Sequence, residues 1–247
     1  MERFKDKTVL ITDAGSGIGK SLALSFAEEG ARVVLCGESF AKVKEVEEEI
    51  GERAMAVSMD ASSLKDWKKT VLAVHERFGK IHILINNAGI ADQTPFEYLT
   101  EETFRTSLEA NLMSVFYSYK TAAEDMKELG WGRICNVSSL AGHRASGDHA
   151  AYAASKHAVN GLTKTAAYAF AKYHILTNAI EPGAMDTPML GSLRSSYPDA
   201  IAQIENGIPL GRMATPDDLS GLVKYLCSEE NTFVNGVSIP IDGGQYA

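Results

Sequence analysis

Seven short apolar runs alternate with amphipathic stretches along the chain, and this alternation is what most limits the folds open to it. The runs are mostly continuous in apolarity, which is typical of strands covered on both faces. Strands that alternate with helices across short connections form a doubly wound parallel sheet with right-handed crossovers. We therefore predict an α/β fold with helices on both faces. The predicted strands are 7–12, 31–36, 54–58, 81–86, 132–138, 175–181 and 237–241, and the predicted helices are 17–29, 40–50, 64–77, 101–128, 151–172 and 216–226.

The chain has 247 residues, 45% of them apolar, which is enough to bury a sizeable core in one domain. We predict a single domain over 1–247, because no linker, low-complexity tract or solenoid repeat divides the sequence. The charged start, MERFKDKTVL, lacks the apolar stretch of a signal peptide, and the apolar runs are too short to cross a bilayer. The sequence therefore predicts a soluble cytoplasmic protein with no membrane partner.

The formal net charge is −8 at pH 7, which argues against a nucleic-acid partner. A nucleic-acid surface needs a basic stripe with interleaved aromatic residues, and the sequence has none. The densest acidic run, Glu45 to Glu49, has the spacing of a solvated helix face. The histidines are dispersed, with no third ligand near His143 and His149. We predict no required metal and no disulfide framework, and we interpret the three cysteines as core thiols: Cys36, Cys135 and Cys227.

A glycine-rich stretch, ITDAGSGIGK, follows the first predicted strand and leads into a helical segment. Backbone N–H groups and the positive end of the helix dipole meet at such a turn, which suits it to a pyrophosphate. An ordinary tight turn between strand and helix is the alternative interpretation. Asp13 stands where the first glycine of such a loop is expected. Because aspartate is among the few non-glycine residues that tolerate the backbone conformation needed there, we expect the turn to form.

Two tyrosine–lysine pairs with the same spacing compete for a catalytic role. Tyr152 and Lys156 are four residues apart on a predicted helix, where an ammonium lowers the pKa of a neighbouring phenol. Tyr168 begins a repeat of this spacing, and a serine stands thirteen residues before each tyrosine. Ser155 and Tyr168 would lie roughly 20 Å apart on one helix, too far to share a proton. Ser139 instead ends a strand, and a loop can fold it back against Tyr152, so only the first set can form a site.

Further motifs follow the predicted strands in order. Together with the glycine loop, Ser139, Tyr152 and Lys156, they make the sequence similar to the short-chain dehydrogenase/reductase family, in its compact single-domain branch. The resemblance covers nearly the whole chain. It implies a Rossmann-type fold and an NAD(P)-dependent oxidoreductase acting on a secondary alcohol or ketone. The other matching motifs are Asn86-Asn87-Ala88-Gly89, Asn111, Pro182-Gly183 with Thr187 behind, and Asp242-Gly243-Gly244.

The resemblance also implies a role for each matching residue. Tyr152 is expected to exchange a proton with the substrate oxygen as acid or base, while Lys156 lowers its pKa and holds the nicotinamide ribose. Ser139 is expected to hydrogen-bond the substrate oxygen, and Asn111 to hold a water in the proton relay. The implied cofactor contacts are Asp13, Gly15, Ser16, Gly17, Ile18, Gly19, Glu38, Asp60, Ala61, Asn87, Ala88, Gly89, Tyr152, Lys156, Pro182, Gly183, Met185 and Thr187.

Acidic residues near the expected adenosine ribose predict which cofactor is used. Glu38 lies where an acidic side chain hydrogen-bonds the ribose hydroxyls, although the usual aspartate of NAD-dependent relatives falls on Gly37. Ser16 stands where relatives that use NADP often carry a basic residue. A 2′-phosphate would face Asp13 and Glu38 with no evident arginine, so we expect NAD to be favoured over NADP. A second expectation is that Asp13 crowds the ribose and weakens cofactor binding.

A rival hypothesis is that the protein has the same fold but catalyses no reaction. It is a nucleotide-binding sensor without turnover, and the replacement of the loop glycine by Asp13 favours it, whereas the complete catalytic set favours the enzyme. Polar loops at 90–98, 140–149 and 184–206 are expected around the substrate, the last as a helical flap. They suit a sugar, polyol or small keto compound better than a steroid. The candidate substrate contacts are Gln93, Arg144 and His149.

The long stretches 101–128 and 151–172 carry apolar residues on more than one face, which is more than one face of a sheet can cover. We therefore predict a homo-oligomer. The family resemblance implies a tetramer in which these helices pair across a two-fold axis. The apolar residues are Leu108, Leu112, Val115, Phe116, Tyr119, Val159, Leu162, Ala166, Ala169 and Phe170.

Overall fold

The computed structural model describes residues 2–144, 147–187 and 198–247. The named strands of that part form one seven-stranded parallel sheet in the order β3-β2-β1-β4-β5-β6-β7. The strands are β1 Thr8–Thr12, β2 Arg32–Gly37, β3 Ala54–Ser58, β4 Ile83–Asn86, β5 Gly132–Val137, β6 Ile175–Pro182 and β7 Ser238–Ile241.

Helices connect the strands and cover both faces of the sheet, which confirms the predicted fold class. None of the described helices combines the length and apolarity needed to span a bilayer. The helices are α1 Gly17–Glu28, α2 Phe40–Ile50, α3 Leu64–Phe78, α4 Glu101–Leu108, α5 Ser114–Lys120, α6 Ala122–Leu129, α7 Ala150–Phe170, α8 Pro198–Asn206 and α9 Asp217–Cys227. Shorter turns are π-helical at Glu109–Met113 and 3₁₀ at Phe96–Tyr98, Leu140–Gly142 and Ala171–Tyr173.

Successive strand residues point to opposite faces and build two separate cores. In β1, Val9 and Ile11 pack on the side of α1, α2 and α9, whereas Leu10 packs on the side of α3, α5, α6 and α7. Val33 and Val34 of β2 divide in the same way. Because both faces are covered, apolar residues are favoured on both, and this explains the continuous apolarity of runs such as Val9 to Ile11 and Val33 to Leu35.

The predicted helix 101–128 is divided in the structure. A π-helical turn separates α4 from α5, and Thr121 separates α5 from α6 with φ −128° and ψ −79°, outside the helical region. The hydroxyl of Thr121 donates to the carbonyl of Tyr117 at 2.7 Å, so the side chain accompanies the break with a local hydrogen bond. Of the predicted loop 184–206, residues 188–197 lie outside the described residues, and α8 forms its end.

The strand order reverses between β1 and β4, because the chain first builds outward to β3 and then returns to the other side of β1. Such a reversal leaves a crevice beyond the carboxyl ends of the two strands. Thr12 ends β1 there, and Asn86 ends β4. Half of the residues predicted to bind cofactor, nine of eighteen, follow the carboxyl ends of these two strands.

Candidate active site

The glycine loop adopts the conformation that its sequence predicts. Asp13 has φ +50°, in the left-handed region that an aspartate tolerates. A Cβ atom at Gly19 would lie 2.1 Å from the carbonyl oxygen of Asp13, so only glycine lets α1 start this close to the loop. The side-chain amide of Asn87 donates to the same carbonyl at 3.1 Å and joins the loop to the end of β4.

Thr12 fixes the two sides of the crevice to each other, and the sequence analysis missed it. Its hydroxyl oxygen accepts from the backbone N–H groups of Asn87 and Ala88, both at 2.9 Å. A polar residue that ends an otherwise apolar strand at a reversal of strand order is the signal that points to such a role.

A groove of about 490 Å³ runs from the glycine loop past the ends of β2 and β3. Its lining includes Lys42 of α2, which is not among the predicted cofactor contacts. Partial burial raises the pKa of the Asp13 carboxyl, and the positive charge of Lys42 opposes that rise. The electrostatics of this groove therefore include a cation besides the predicted carboxylates. Of the predicted cofactor residues, Asp13, Ser16, Glu38, Asp60, Ala61, Ala88 and Gly89 line it.

A second groove, of about 330 Å³, adjoins the first and shares Asp13, Ser16 and Gly89 with it. Two of the predicted cofactor contacts line neither groove: Gly19, discussed above, and Gly15, where a Cβ would lie 2.8 Å from the Cβ of Lys42. Both glycines therefore allow close packing around the loop. The second groove is lined by Gly17, Ile18, Asn87, Ser139, Tyr152, Lys156, Pro182, Gly183, Met185 and Thr187, among others.

Three of the four predicted catalytic side chains meet in this second groove. Ser139 begins the turn after β5, where its Oγ accepts from the N–H of Ala141 at 3.1 Å, and its side chain lines the groove together with that of Tyr152. Lys156, one turn further along α7, is buried and donates from Nζ to the carbonyl of Val137 at 2.9 Å. Its Nζ lies 5.6 Å from the centre of the Tyr152 ring.

Burial governs the pKa values of the two groups on α7. It raises the pKa of Tyr152, and the hydrogen bond from Ser139 opposes that rise. Burial also lowers the pKa of Lys156 from its ordinary 10.5 to about 8. The tyrosine–lysine spacing predicts that Lys156 lowers the pKa of Tyr152. In this structure the lysine hydrogen-bonds a backbone carbonyl, and desolvation of the phenol is the larger effect.

Replacing Lys156 with Met is expected to stabilise the protein without cofactor at pH 7. The unfolded chain binds more protons than the folded one between pH 8 and 10.5, so the lysine costs most stability below pH 8 and the cost fades as pH rises. The shift from 10.5 to about 8 corresponds to roughly 3 kcal/mol, of which we expect about 1–3 kcal/mol to be recovered. Urea unfolding at pH 7 and pH 10 measures the gain and its decline.

The matched control for this prediction is Lys172→Met, because Lys172 repeats the tyrosine–lysine spacing and is exposed. That substitution is expected to change the free energy of unfolding by less than about 0.5 kcal/mol. Equal effects of the two substitutions, or a loss of stability in the Lys156 variant at pH 7, would show that the buried ammonium carries no cost.

Asn111 lies behind the groove, in the π-helical turn, and is buried. Its Oδ1 accepts from the N–H of Ile90 at 2.7 Å, and its Nδ2 donates to the carbonyl of Ile90 at 3.0 Å and to Oγ of Ser155 at 2.9 Å. A Cβ at Gly89 would lie 2.7 Å from Oδ1 of Asn111. The amide thus holds the loop after β4 against α7.

The rival pair lies away from the grooves. Tyr168 is 92% exposed on α7, and Lys172 belongs to the 3₁₀ turn that follows this helix. Ser155, thirteen residues before Tyr168, is fully buried and donates to the carbonyl of Tyr152 at 2.7 Å. The structure therefore brings together the first set of residues and separates the second.

The three predicted substrate contacts differ in their surroundings. His149 precedes α7 and lies with its ring centre 6.2 Å from that of Tyr152, and its Nδ1 is 2.8 Å from Oδ1 of Asp148. Arg144 donates to the carbonyl of Gln245 at 3.3 Å, which draws it toward the C-terminal turn. Gln93 is exposed in the loop after β4. His149 is thus the candidate whose ring lies beside that of Tyr152.

Comparison with known proteins agrees with this geometry. Residues 14–245 match a family model described as enoyl-(acyl carrier protein) reductase. The chain is 36% identical to trans-4-hydroxycyclohexanecarboxylate dehydrogenase of Sinomonas cyclohexanicum, over 100% of this chain and 95% of that one. It is 34% identical to galactitol 2-dehydrogenase of Agrobacterium fabrum, with 99% of both chains covered. The crystal structure of 3-ketoacyl-(acyl-carrier-protein) reductase from Brucella melitensis, complexed with NADH, superposes with a TM-score of 0.91 at 34% identity, covering 98% of this chain and 99% of that one.

The chain belongs to the short-chain dehydrogenase/reductase family, as its motifs predict. It is an oxidoreductase that uses a nicotinamide cofactor and acts on a secondary alcohol or ketone. The relatives named above are dehydrogenases and reductases, so they give no support to the hypothesis of a sensor without turnover. Among the described residues, no three His, Cys, Asp or Glu side chains group as metal ligands.

Proposed function

We propose that Tyr152 is the acid and base of this oxidoreductase, and that Ser139 and Lys156 support it. The observation that carries the proposal is that Ser139, Tyr152 and the buried ammonium of Lys156 line one groove at the carboxyl ends of the strands. In reduction, the Tyr152 hydroxyl gives its proton to the substrate carbonyl oxygen. In oxidation, the tyrosinate takes the proton of the alcohol. Ser139 donates to the substrate oxygen in both directions.

A dinucleotide fits the cradle that the chain provides. The two adjoining grooves have room for the two halves of the dinucleotide. Gly15 and Gly19 have no side chain, which allows the neighbouring segments to pack closely around the loop. The first turn of α1 follows Ser16, whose side chain makes no capping hydrogen bond, so its N–H groups are available to a pyrophosphate. When bound, the nicotinamide supplies the hydride. We assign the adenosine half to the groove of Glu38 and Asp60, and the nicotinamide half to that of Tyr152 and Thr187.

Lys156 has two parts in this proposal. Its ammonium stabilises the tyrosinate electrostatically, and it is placed to hold the ribose of the nicotinamide half. Asn111 is included in the proton relay as a positioning residue, since its side-chain amide already bonds Ile90 and Ser155. Both N–H donors of this amide are used, so a water in that relay receives no hydrogen bond from them.

The substrate that we propose is a sugar, a polyol or a small cyclic keto compound. Galactitol and a hydroxycyclohexane carboxylate are the substrates named for the two relatives. The groove of about 330 Å³ also has to hold the nicotinamide, which favours a small substrate. The polar side chains of Gln93, Arg144 and His149 on the surrounding loops suit hydroxyl groups.

A screen for nicotinamide absorbance tests this function. The protein is mixed with NAD and a panel of polyols, cyclic alcohols and hydroxy acids, and with NADH and the matching ketones. Turnover with a polyol or a cyclic substrate is the expected result, and a bulky steroid alcohol is the negative control. Tight nucleotide binding with no turnover on any compound would contradict the proposal.

We also propose that the protein is a single-domain homotetramer of the cytoplasm that favours NAD. The cofactor preference rests on the carboxylates of Asp13 and Glu38. The core uses several of the apolar residues that predicted the oligomer, including Val115, Tyr119, Val159 and Ala166. Support for the tetramer therefore comes from the exposed aromatic rings of Phe116 on α5 and Tyr168 on α7, and from the family resemblance.

Small-angle scattering at micromolar concentration is expected to give the mass of a tetramer. Charged residues placed at an interface core oppose association, so Phe116→Glu with Tyr168→Glu is expected to reduce that mass. Leu72→Glu is a matched control, because Leu72 is an exposed apolar residue of α3, outside both predicted pairing helices. A monomeric mass for the unchanged chain would contradict the prediction.

A further inference from the structure

A fully buried carboxylate lies next to the active site, and the proposed chemistry does not use it. Glu181 is the last residue but one of β6, directly before the Pro182-Gly183 segment, and its side chain is 0% exposed. Burying a carboxylate is costly unless partners compensate it. Oε1 accepts from Nδ2 of Asn160 on α7 at 2.6 Å, and Oε2 lies 2.7 Å from Nε2 of His143.

The two partners hold the turn that begins with Ser139. His143 closes this turn, four residues after the serine. Nδ2 of Asn160 also donates to the carbonyl of Gly142 at 3.2 Å. A Cβ at Gly142 would lie 2.5 Å from that nitrogen, so the turn and α7 approach closely. The carboxylate therefore connects the end of β6 with the turn that carries Ser139, through His143, and with α7, through Asn160.

The C-terminal turn joins the same assembly from the other side. The ring of Tyr246 stacks on His143, with centres 5.3 Å apart and planes 29° apart. Next to it, Oε1 of Gln245 accepts from the N–H of Ala184 at 3.4 Å. Three segments are thus linked around the Glu181–His143 pair: the turn of Ser139, the segment after β6 and the C-terminal turn.

We propose that Glu181 and His143 are positioning residues for Ser139 and for the segment that follows β6. The pair fixes the turn 139–143 against α7, and thereby sets the distance between the serine hydroxyl and Tyr152. This inference rests on the proposed function of Ser139. The groups that face the carboxylate are His143 from the turn, and Asn160 and Lys164 from α7.

The chain contains a second pair of the same kind that serves as a matched control. Nε2 of His75 lies 2.8 Å from Oδ1 of Asp125, whose side chain is 5% exposed. Asp125 also accepts from the N–H of Ile81 at 2.9 Å, close to where β4 begins. This control pair is at the amino ends of the strands, opposite the active site. Removing this ion pair therefore removes a buried contact and leaves the turn of Ser139 unchanged.

The test compares Glu181→Gln with Asp125→Asn in the complete protein. Displacement of a reacting group by about 1 Å costs up to about 100-fold in rate, so we expect Glu181→Gln to lower kcat by about 10- to 100-fold, with the KM for the dinucleotide within about three-fold. Asp125→Asn is expected to keep kcat within about two-fold. His143→Gln, which keeps a hydrogen-bond donor, should retain more activity than His143→Leu. Equal kcat values for the Glu181 and Asp125 variants would overturn the proposal.

Hydrogen exchange separates failure of this inference from failure of the proposed function. The amides of Gly142, His143 and Arg144 donate to carbonyls within the turn. They should exchange at least about ten-fold faster in Glu181→Gln than in Asp125→Asn, whether or not a substrate has been found. Unchanged exchange would overturn the positioning role. Faster exchange without any turnover by the unchanged protein would instead place the failure in the proposed function.

Discussion

Replacing Tyr152 with Phe is expected to remove turnover and to leave dinucleotide binding nearly intact. The substitution deletes one hydroxyl, which is the group proposed to exchange a proton with the substrate oxygen. General acid–base catalysis contributes on the order of 10²- to 10⁴-fold in rate, and loss of the proposed acid should cost at least that. The glycine loop and the first turn of α1 are unchanged, so the Kd for the dinucleotide should stay within about two-fold. Steady-state rates and a fluorescence titration with NADH measure the two effects.

Tyr168→Phe is the internal control, since the sequence spacing alone does not distinguish the two tyrosines. Tyr168 is 92% exposed on the same helix, and its hydroxyl lies outside both grooves. That variant should keep the rate of the unchanged protein. Full activity in both variants, or a larger loss of activity from Tyr168→Phe, would show that we have assigned the catalytic hydroxyl to the wrong residue.

The layered sheet could be predicted because both of its determinants are local. Continuous apolar runs such as Val33 to Leu35 require cover on both faces, and short connections leave only parallel crossovers. The carboxyl-end rule then placed Ser139 and Asn87 correctly at the crevice. These inferences need no knowledge of which distant segments pack together.

Features that depend on contacts between residues far apart in the sequence could not be predicted from local sequence patterns. Lys42 enters the first groove because α2 starts close to the glycine loop, a relation that the spacing of charges along α2 does not contain. Glu181 and His143 are far apart in sequence and meet only after β6 lies beside β5. The direction of the Tyr152 pKa shift likewise depends on desolvation by surrounding segments. Motifs and their spacing predict which residues are catalytic, but only packing determines the electrostatic surroundings of those residues.

The preference between NAD and NADP depends on carboxylates identified from the sequence and on Lys42, which the structure places in the same groove. The first groove has the carboxylates of Asp13 and Glu38 and the ammonium of Lys42 along its wall. Each unit-charge repulsion on a 2′-phosphate at about 4 Å is worth roughly 1 to 4 kcal/mol, a factor of order ten to a thousand in affinity. Lys42 offsets part of this repulsion, and two carboxylates outweigh one ammonium.

We therefore expect kcat/KM to be higher with NAD than with NADP. Asp13→Gly should narrow the difference without unfolding the loop, since glycine adopts φ +50° freely. Glu38→Arg should narrow it further by replacing a repulsion with an attraction. Lys42→Met should widen it, because the groove then loses the cation that offsets the two carboxylates. The measurement is kcat/KM with both cofactors for the unchanged protein and the three variants. A wild-type preference for NADP would refute the electrostatic argument, whereas rejection of both cofactors with recovery in Asp13→Gly would show that the missing glycine disables the site.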